Sequence, residues 1–357
     1  AAYSWLQVAF ALEAVIALVV AAGLALALRR GTRAQLPRVT EDYERSVRDR
    51  RTWEIARARA VGRMTETLPY VLAALLLPVV ALGALVLYST LAGELGAGPT
   101  SAATAVSGAS GVSDEVREAV RGVVSVLIGV GSVLGGAALV ALVWIGRSAY
   151  RDRPTRQAVG AVWDVGTFWP RVAHPLAPPS YAERAVPQLC ARVALMCREG
   201  TDVVLSGHSQ GSVLAAATVW QLPGDCLGRM SLVTHGSPLD RLYARYFPAY
   251  FGPEAFTDLR TRVTAWRNLW RLTDAVGGPV RTRDASGGPG ATRTVERAEP
   301  LPDPRSYDAL PGEAQRPEIL GHSYYTGDPA YSGALRRVLD AMEEAEARRG
   351  AAAEEAG

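Results

Sequence analysis

The 357-residue chain contains no lysine; all 38 of its basic residues are arginine. Together with its many alanines and glycines, this composition fits a GC-rich bacterial coding sequence. The formal net charge is only +3, so the electrostatic footprint of a nucleic-acid binder is missing and no nucleic-acid partner is expected. Cysteine is scarce. Cys190, Cys197 and Cys226 are odd in number and fit no zinc spacing, which points to reduced, buried thiols in a cytosolic compartment. Only four histidines occur, scattered along the chain. Neither HExxH nor a Cys-His ligand spacing is present, so metal catalysis is not expected. The chain begins at Ala1 rather than at a methionine, and an upstream piece, such as a further span, is expected.

Long apolar runs are present, and all lie before residue 150. Residues 5–28 are interrupted only by Gln7 and Glu13, and residues 69–91 and 122–146 carry no charge. Each is long enough to cross a hydrocarbon core of about 30 Å as a helix. The first run lacks a basic n-region and is too long for a signal peptide. A transmembrane helical region of three spans is therefore expected over residues 1–150. Residues 29–65 carry eleven arginines, whereas residues 92–120 carry only Arg117 against four acids. The positive-inside rule then puts segment 29–66 and everything after residue 147 in the cytoplasm, in a multi-pass inner-membrane protein. Thr40-Glu41-Asp42 reads as a helix start. The arginines after it read as a cytoplasmic helix running towards the second span, solvated and topology-setting, with contact to anionic headgroups as the alternative. Pro78 is expected to kink the second span. Gly131 to Gly136 gives a small-residue packing face on the third. Residues 93–113, rich in Gly, Ala, Ser and Thr, read as a mobile loop.

Residues 151–349 read as a globular α/β domain, in which strands alternate with helices; residues 350–357 read as a disordered tail. At its centre stands Gly207-His208-Ser209-Gln210-Gly211, a G-x-S-x-G pattern. The pattern alone recurs by chance. Its flanks add the weight, because the β-branched run 203–205 precedes it and a helix-compatible, alanine-rich stretch follows. Strand, sharp turn and helix form a nucleophile elbow, with the serine hydroxyl raised clear of the sheet edge. Gly207 and Gly211 are expected to let strand and helix approach closely. The Gln210 N–H, at the helix start, is the expected oxyanion-hole donor.

A serine nucleophile needs a base, and the base an orienting acid. In this elbow geometry the chain order is Ser, then acid, then His. His208 lies inside the elbow and His174 precedes it. His322 comes last and is the expected base, with His235 the alternative. Asp274 directly follows a strand region, 261–272, and is the expected acid, with Asp240 the alternative. Asp303 and Asp308 fall in the Pro- and Gly-rich segment 277–319 and read as solvated turn residues. That segment reads either as a lid or as a loose insertion.

Four motifs occur together: Gly207-His208-Ser209-Gln210-Gly211, Thr234-His235-Gly236-Ser237-Pro238, Asp274-Ala275-Val276, and His322. Over about residues 180–330 this set resembles the lipase class 3 type of α/β-hydrolase. The whole arrangement resembles membrane-bound lipase-like proteins of high-GC bacteria. The resemblance implies Ser209 as nucleophile, Asp274 as orienting acid, His322 as base, Gln210 in the oxyanion hole, no cofactor, and a lipid or acyl-ester substrate at the bilayer. His235 stands where that family has Phe, and residues 171–174 are the nearest match to its upstream oxyanion loop. The expected function is thus that of a membrane-anchored serine esterase or lipase-like hydrolase. The alternative is a non-catalytic membrane scaffold or binding protein with a hydrolase-like domain.

Overall fold

A computed structural model describes residues 2–91, 113–156, 160, 180–284, 286, 290–295 and 299–356. The described chain is mostly helical, with three long apolar helices and two small sheets. It divides into two compact units: Ala1–Ala27 with Thr67–Val162, and Leu28–Glu66 with Trp163–Gly357. Loop 93–113, apart from Ser113, and residues 171–174, His174 among them, lie outside the described residues.

The first unit is helical. Helix α1 spans Ala2–Tyr43, α2 Arg50–Met64, α3 Leu68–Leu91 and α4 Asp114–Arg151; α2 and the end of α1 belong to the second unit. Three helical stretches, Ser4–Tyr43, Arg50–Ala84 and Asp114–Arg151, are long and apolar enough to cross a membrane. Many of their leucines and valines point outward; Leu18, Leu77, Val133 and Leu139 are all exposed. Side chains that no protein core covers suit a lipid solvent. The small-residue face of α4 packs against α1. A Cβ on Gly131 would overlap the Gln7 backbone, and Gly135 faces Phe10. Gln7 Nε2 donates to Ser132 Oγ between the two helices. Pro78 lies inside α3, which continues through it.

The second unit is built on a three-stranded parallel sheet. Helix α5 (Tyr181–Arg198) leads to β1 (Val203–His208), followed by α6 (Gln210–Gln221), β2 (Met230–His235), α7 (Pro253–Thr261) and β3 (Ala265–Leu269). The strands lie in the order β1-β2-β3. The register pairs His208 with His235, and His235 with Leu269. The three carboxyl ends therefore finish level, where an open parallel sheet offers its binding edge. Alternate side chains feed two cores. Leu232 and Trp266 pack with Val213, Val219 and Phe256 on one face. Val233 and Ala265 pack with Val338 and Met342 of α8 (Pro329–Ala356) on the other. Fully burying each such large apolar side chain stabilises by about 1.5–3 kcal/mol.

Several expectations need correction. The third strand region is shorter than 261–272, because α7 extends to Thr261 before β3 begins. Residues 350–356 are not a disordered tail but the last turns of α8; after Gly350, Ala and Glu, both good helix formers, continue the helix. Thr40-Glu41-Asp42 starts no helix. It lies within α1, where the Thr40 hydroxyl donates back to the Pro37 carbonyl, and the chain turns at Glu44 with φ +51°. The cap is Asp49, which accepts from the Arg51 N–H at 2.9 Å and starts α2.

The arginine-rich segment is not a solvated loop. Leu36, Val39, Ile55 and Ala56 form a buried cluster with Tyr307. The spacing 52, 55, 56, 59 puts one helix face inward, and all four of those residues are buried. Segment 28–66 therefore belongs with the sheet-bearing unit, not with the apolar helices of a 1–150 region.

Candidate active site

The elbow is built locally. β1 ends at His208, and Ser209 turns the chain with φ 53° and ψ −126° before α6 starts at Gln210. A non-glycine residue in the positive-φ region is strained and is held only by its surroundings. Here the Ser209 N–H donates to the His235 carbonyl at 3.1 Å, and the Ser209 carbonyl accepts from the Ser212 N–H at 2.9 Å. Only one elbow glycine is sterically required. A Cβ on Gly207 would lie 2.5 Å from the Gly211 carbonyl oxygen, whereas a Cβ on Gly211 would meet open space. The expectation that both glycines enable close approach holds for Gly207 alone. Gln210 is the first residue of α6, so its N–H has no acceptor within the helix. Its side-chain Nε2 is buried without a partner among the described residues.

Ser209, His322 and Asp274 come together. His322 Nε2 lies 2.9 Å from Ser209 Oγ, and His322 Nδ1 lies 2.9 and 3.0 Å from the two Asp274 oxygens. With the proton on Nδ1 donated to the carboxylate, Nε2 is left to accept from the serine hydroxyl. Asp274 is completely buried. Its Oδ1 accepts from the N–H groups of Val276 and Gly277 at 2.8 and 2.7 Å, and its Oδ2 from the Tyr325 hydroxyl at 2.7 Å. Burial by itself would raise its pKa. The hydrogen bond and charge of His322, with the Tyr325 and Gly277 donors, overcome this and hold it at about 2. The carboxylate is thus ionised beside the imidazole. A Cβ on Gly277 would come within 2.6 Å of Asp274 Oδ2 and 2.3 Å of the Gly236 backbone.

The alternatives stand elsewhere. Asp240 accepts from the Arg281 guanidinium at 2.7 and 2.9 Å. His235 is buried, its Nδ1 has no partner among the described residues, and its Nε2 lies 3.5 Å from Ser206 Oγ. Burial, then the charges of His208 and His322, push its pKa down to about 4.

Four residues that shape the site escaped the sequence reading. Tyr325 holds the acid. His208 Nε2 lies 2.9 Å from the His322 carbonyl oxygen, to which it donates. Arg271, fully buried, donates to the carbonyls of Gly321 and Ser323, and its guanidinium stacks 4.2 Å from the Tyr325 ring centroid. Asp303 is no solvated turn residue. It is buried and accepts from the N–H groups of Leu320 and Gly321 and from the Thr273 hydroxyl. Segment 277–319 is accordingly no loose insertion where it is described. Besides Asp303 it contains an antiparallel hairpin, β4 (Arg281–Arg283) with β5 (Thr292–Thr294). Asp308, by contrast, is half-exposed and pairs with Arg45. The only sequence hint was position: Tyr325 lies three residues after His322, and Arg271 three before Asp274.

Comparisons with protein-family models, curated proteins and solved structures find no match to this chain.

Proposed function

We propose that the protein is a membrane-anchored serine hydrolase, with a reduced α/β-hydrolase domain of the lipase class 3 type that cleaves an acyl ester on the cytoplasmic side. The observation that carries this reading is the His322 imidazole bridging the Ser209 hydroxyl and the buried, ionised Asp274. The level carboxyl ends of the parallel strands and the positive φ of Ser209 support it. The three long apolar helices support membrane anchoring, and the arginine distribution supports a cytoplasmic domain.

In the proposed cycle His322 Nε2 takes the proton of Ser209 as Oγ attacks the ester carbonyl. Asp274 steadies the imidazolium through Nδ1. The Gln210 N–H faces the oxyanion. The alcohol leaves with the proton from His322. Water, deprotonated by the same imidazole, then releases the acid and restores Ser209. Anchoring at the inner leaflet favours a lipid acyl ester as substrate.

The test is hydrolysis of p-nitrophenyl acyl esters by the detergent-solubilised full chain. A burst of nitrophenol stoichiometric with enzyme, abolished in Ser209→Ala, is expected. Turnover that persists unchanged in Ser209→Ala would overturn the assignment. A folded wild type without any turnover would favour a binding role for the domain.

A further inference from the structure

A second feature of the sheet-bearing unit lies apart from the serine. A cavity of about 340 Å³ is lined by Arg38, Arg59, Arg63, Arg241, Arg245 and Arg281, with Glu66 and Asp240 as the only carboxylates on its wall. The balance is more positive than the count suggests, because both Asp240 oxygens are already engaged by Arg281. Arg241 spends one nitrogen on the backbone carbonyls of Gly62 and Asp274, and Arg245 donates to the Glu66 carbonyl. Arg38 and Arg63 make no ion pair among the described residues and are exposed. Among the described residues, none of these four guanidinium groups has a carboxylate salt bridge.

Arg59 adds an independent observation. Its side chain is only 6% exposed and pairs through Nη1 with Asp42, yet its Nε has no hydrogen-bond partner among the described residues. A buried guanidinium N–H without an acceptor costs about 1–3 kcal/mol, and this guanidinium belongs to a residue of the cavity wall. Arg241 is buried too: burial draws its pKa down, although nearby Glu66 and Asp274 raise it. Trp270, Leu272 and Pro279 form an apolar side of the wall.

We propose that this arginine cavity is a binding site for a phosphate-bearing anion, supplied either by the headgroup of an anionic phospholipid or by free phosphate. Guanidinium forks match phosphate oxygens bidentately, and a wall with several of them suits a group with two or more terminal acceptor oxygens. Two of the wall arginines lie near apolar runs along the chain. Arg63 lies five residues before Leu68, where an apolar helix begins, and Arg38 lies ten residues after Leu28, where another apolar run ends. The site is independent of the hydrolase reading, because binding is read equally well in Ser209→Ala.

The test uses the detergent-solubilised full chain and follows its thermal midpoint at fixed ionic strength. Three probes are compared: inorganic phosphate, phosphatidylglycerol in mixed micelles, and phosphatidylcholine in mixed micelles. The Arg38→Gln/Arg63→Gln double variant is compared with Arg48→Gln/Arg57→Gln, which removes the same charge from exposed positions off the cavity wall. The wild type should be stabilised saturably by phosphatidylglycerol beyond phosphatidylcholine, by inorganic phosphate, or by both. Response to phosphatidylglycerol alone identifies the lipid headgroup as the source, and response to inorganic phosphate identifies free phosphate as sufficient. In the cavity double variant the half-saturating concentration should rise roughly tenfold, the loss of about 1.4 kcal/mol from contacts to a charged group. The control variant should bind as the wild type does. A wild type that responds to neither anionic probe would overturn the proposal. So would a cavity variant that binds undiminished, or a control variant weakened as much as the cavity variant.

Discussion

Ser209 and His322 reach the same point in the molecule by different means. Ser209 sits on a turn made by its own neighbours: a strand that stops, a glycine that lets the following helix come close, and a helix that starts at the next residue. His322 sits on a segment without regular structure, between Leu320 and Ser323. Side chains from far along the chain fix that segment. Asp303 takes the N–H groups on one side. Arg271 takes the carbonyls of Gly321 and Ser323, His208 takes the carbonyl of His322 itself, and Asp274 takes the ring. Local sterics set the first position, and a polar network set by long-range folding sets the second. The two should therefore fail differently when perturbed.

The largest effect is expected at the elbow. Gly207→Ala puts a Cβ against the Gly211 backbone and must move the nucleophile. A displacement of that kind costs roughly 100-fold in reactivity. Gly211→Ala meets open space and should stay within about threefold of wild type, a change of under 1 kcal/mol. Ester hydrolysis by the purified variants measures both, and equal loss at the two glycines would contradict the local account.

Next comes the clamp on the base. Arg271→Met removes a buried cation from two carbonyls and from Asp328. Breaking a buried charged pair from one side costs about 3–5 kcal/mol. The thermal midpoint should fall by several degrees and activity with it, because the same groups hold His322. A variant with unchanged stability would show that the loop is fixed by something else.

Tyr325→Phe should act more narrowly. Deleting one donor to an ionised carboxylate costs about 1.5–3 kcal/mol at most, so activity should fall by roughly tenfold while the fold survives. The pH dependence carries a signature. Asp274 has a folded pKa of about 2, below its ordinary value of 3.8, so its contribution to stability is full above the unfolded value and is lost as pH falls through the folded one. With a donor removed the folded pKa rises, and the acid-side loss of stability shrinks. Denaturation midpoints measured between pH 5 and pH 2 by circular dichroism read this, with about pH 2 the folded limit.

The smallest effect is expected at His235. Its folded pKa of about 4 lies below the ordinary 6.5, so the unfolded chain binds the extra proton and stability declines as pH drops from 6.5 towards 4. His235→Phe should flatten that part of the profile. An unchanged slope would mean that the imidazole is not held neutral.

The same contrast explains what could be read in the sequence. The elbow, the apolar spans and the order Ser209, Asp274, His322 were legible because each depends on neighbours within a few residues or on the order of motifs. Asp303 was not, because a Pro- and Gly-rich setting reads as exposed loop until the His322 segment is folded against it. Segment 28–66 was misread for a related reason. Its eleven arginines dominate the composition, whereas Ile55, Ala56, Leu36 and Val39, which seat it against Tyr307, are few and matter only through helical spacing. A short sheet likewise cannot be told from sequence alternation alone, since β3 is five residues long and its preceding helix ends in apolar and polar residues alike.

The most direct test of the account is covalent labelling of the full-length protein with a fluorophosphonate, with the adduct mapped by peptide mass spectrometry. The account predicts one adduct, on Ser209, lost in His322→Ala and strongly slowed in Asp274→Asn. A folded wild type that does not label, or labelling that survives His322→Ala and disappears in His235→Ala, would contradict it.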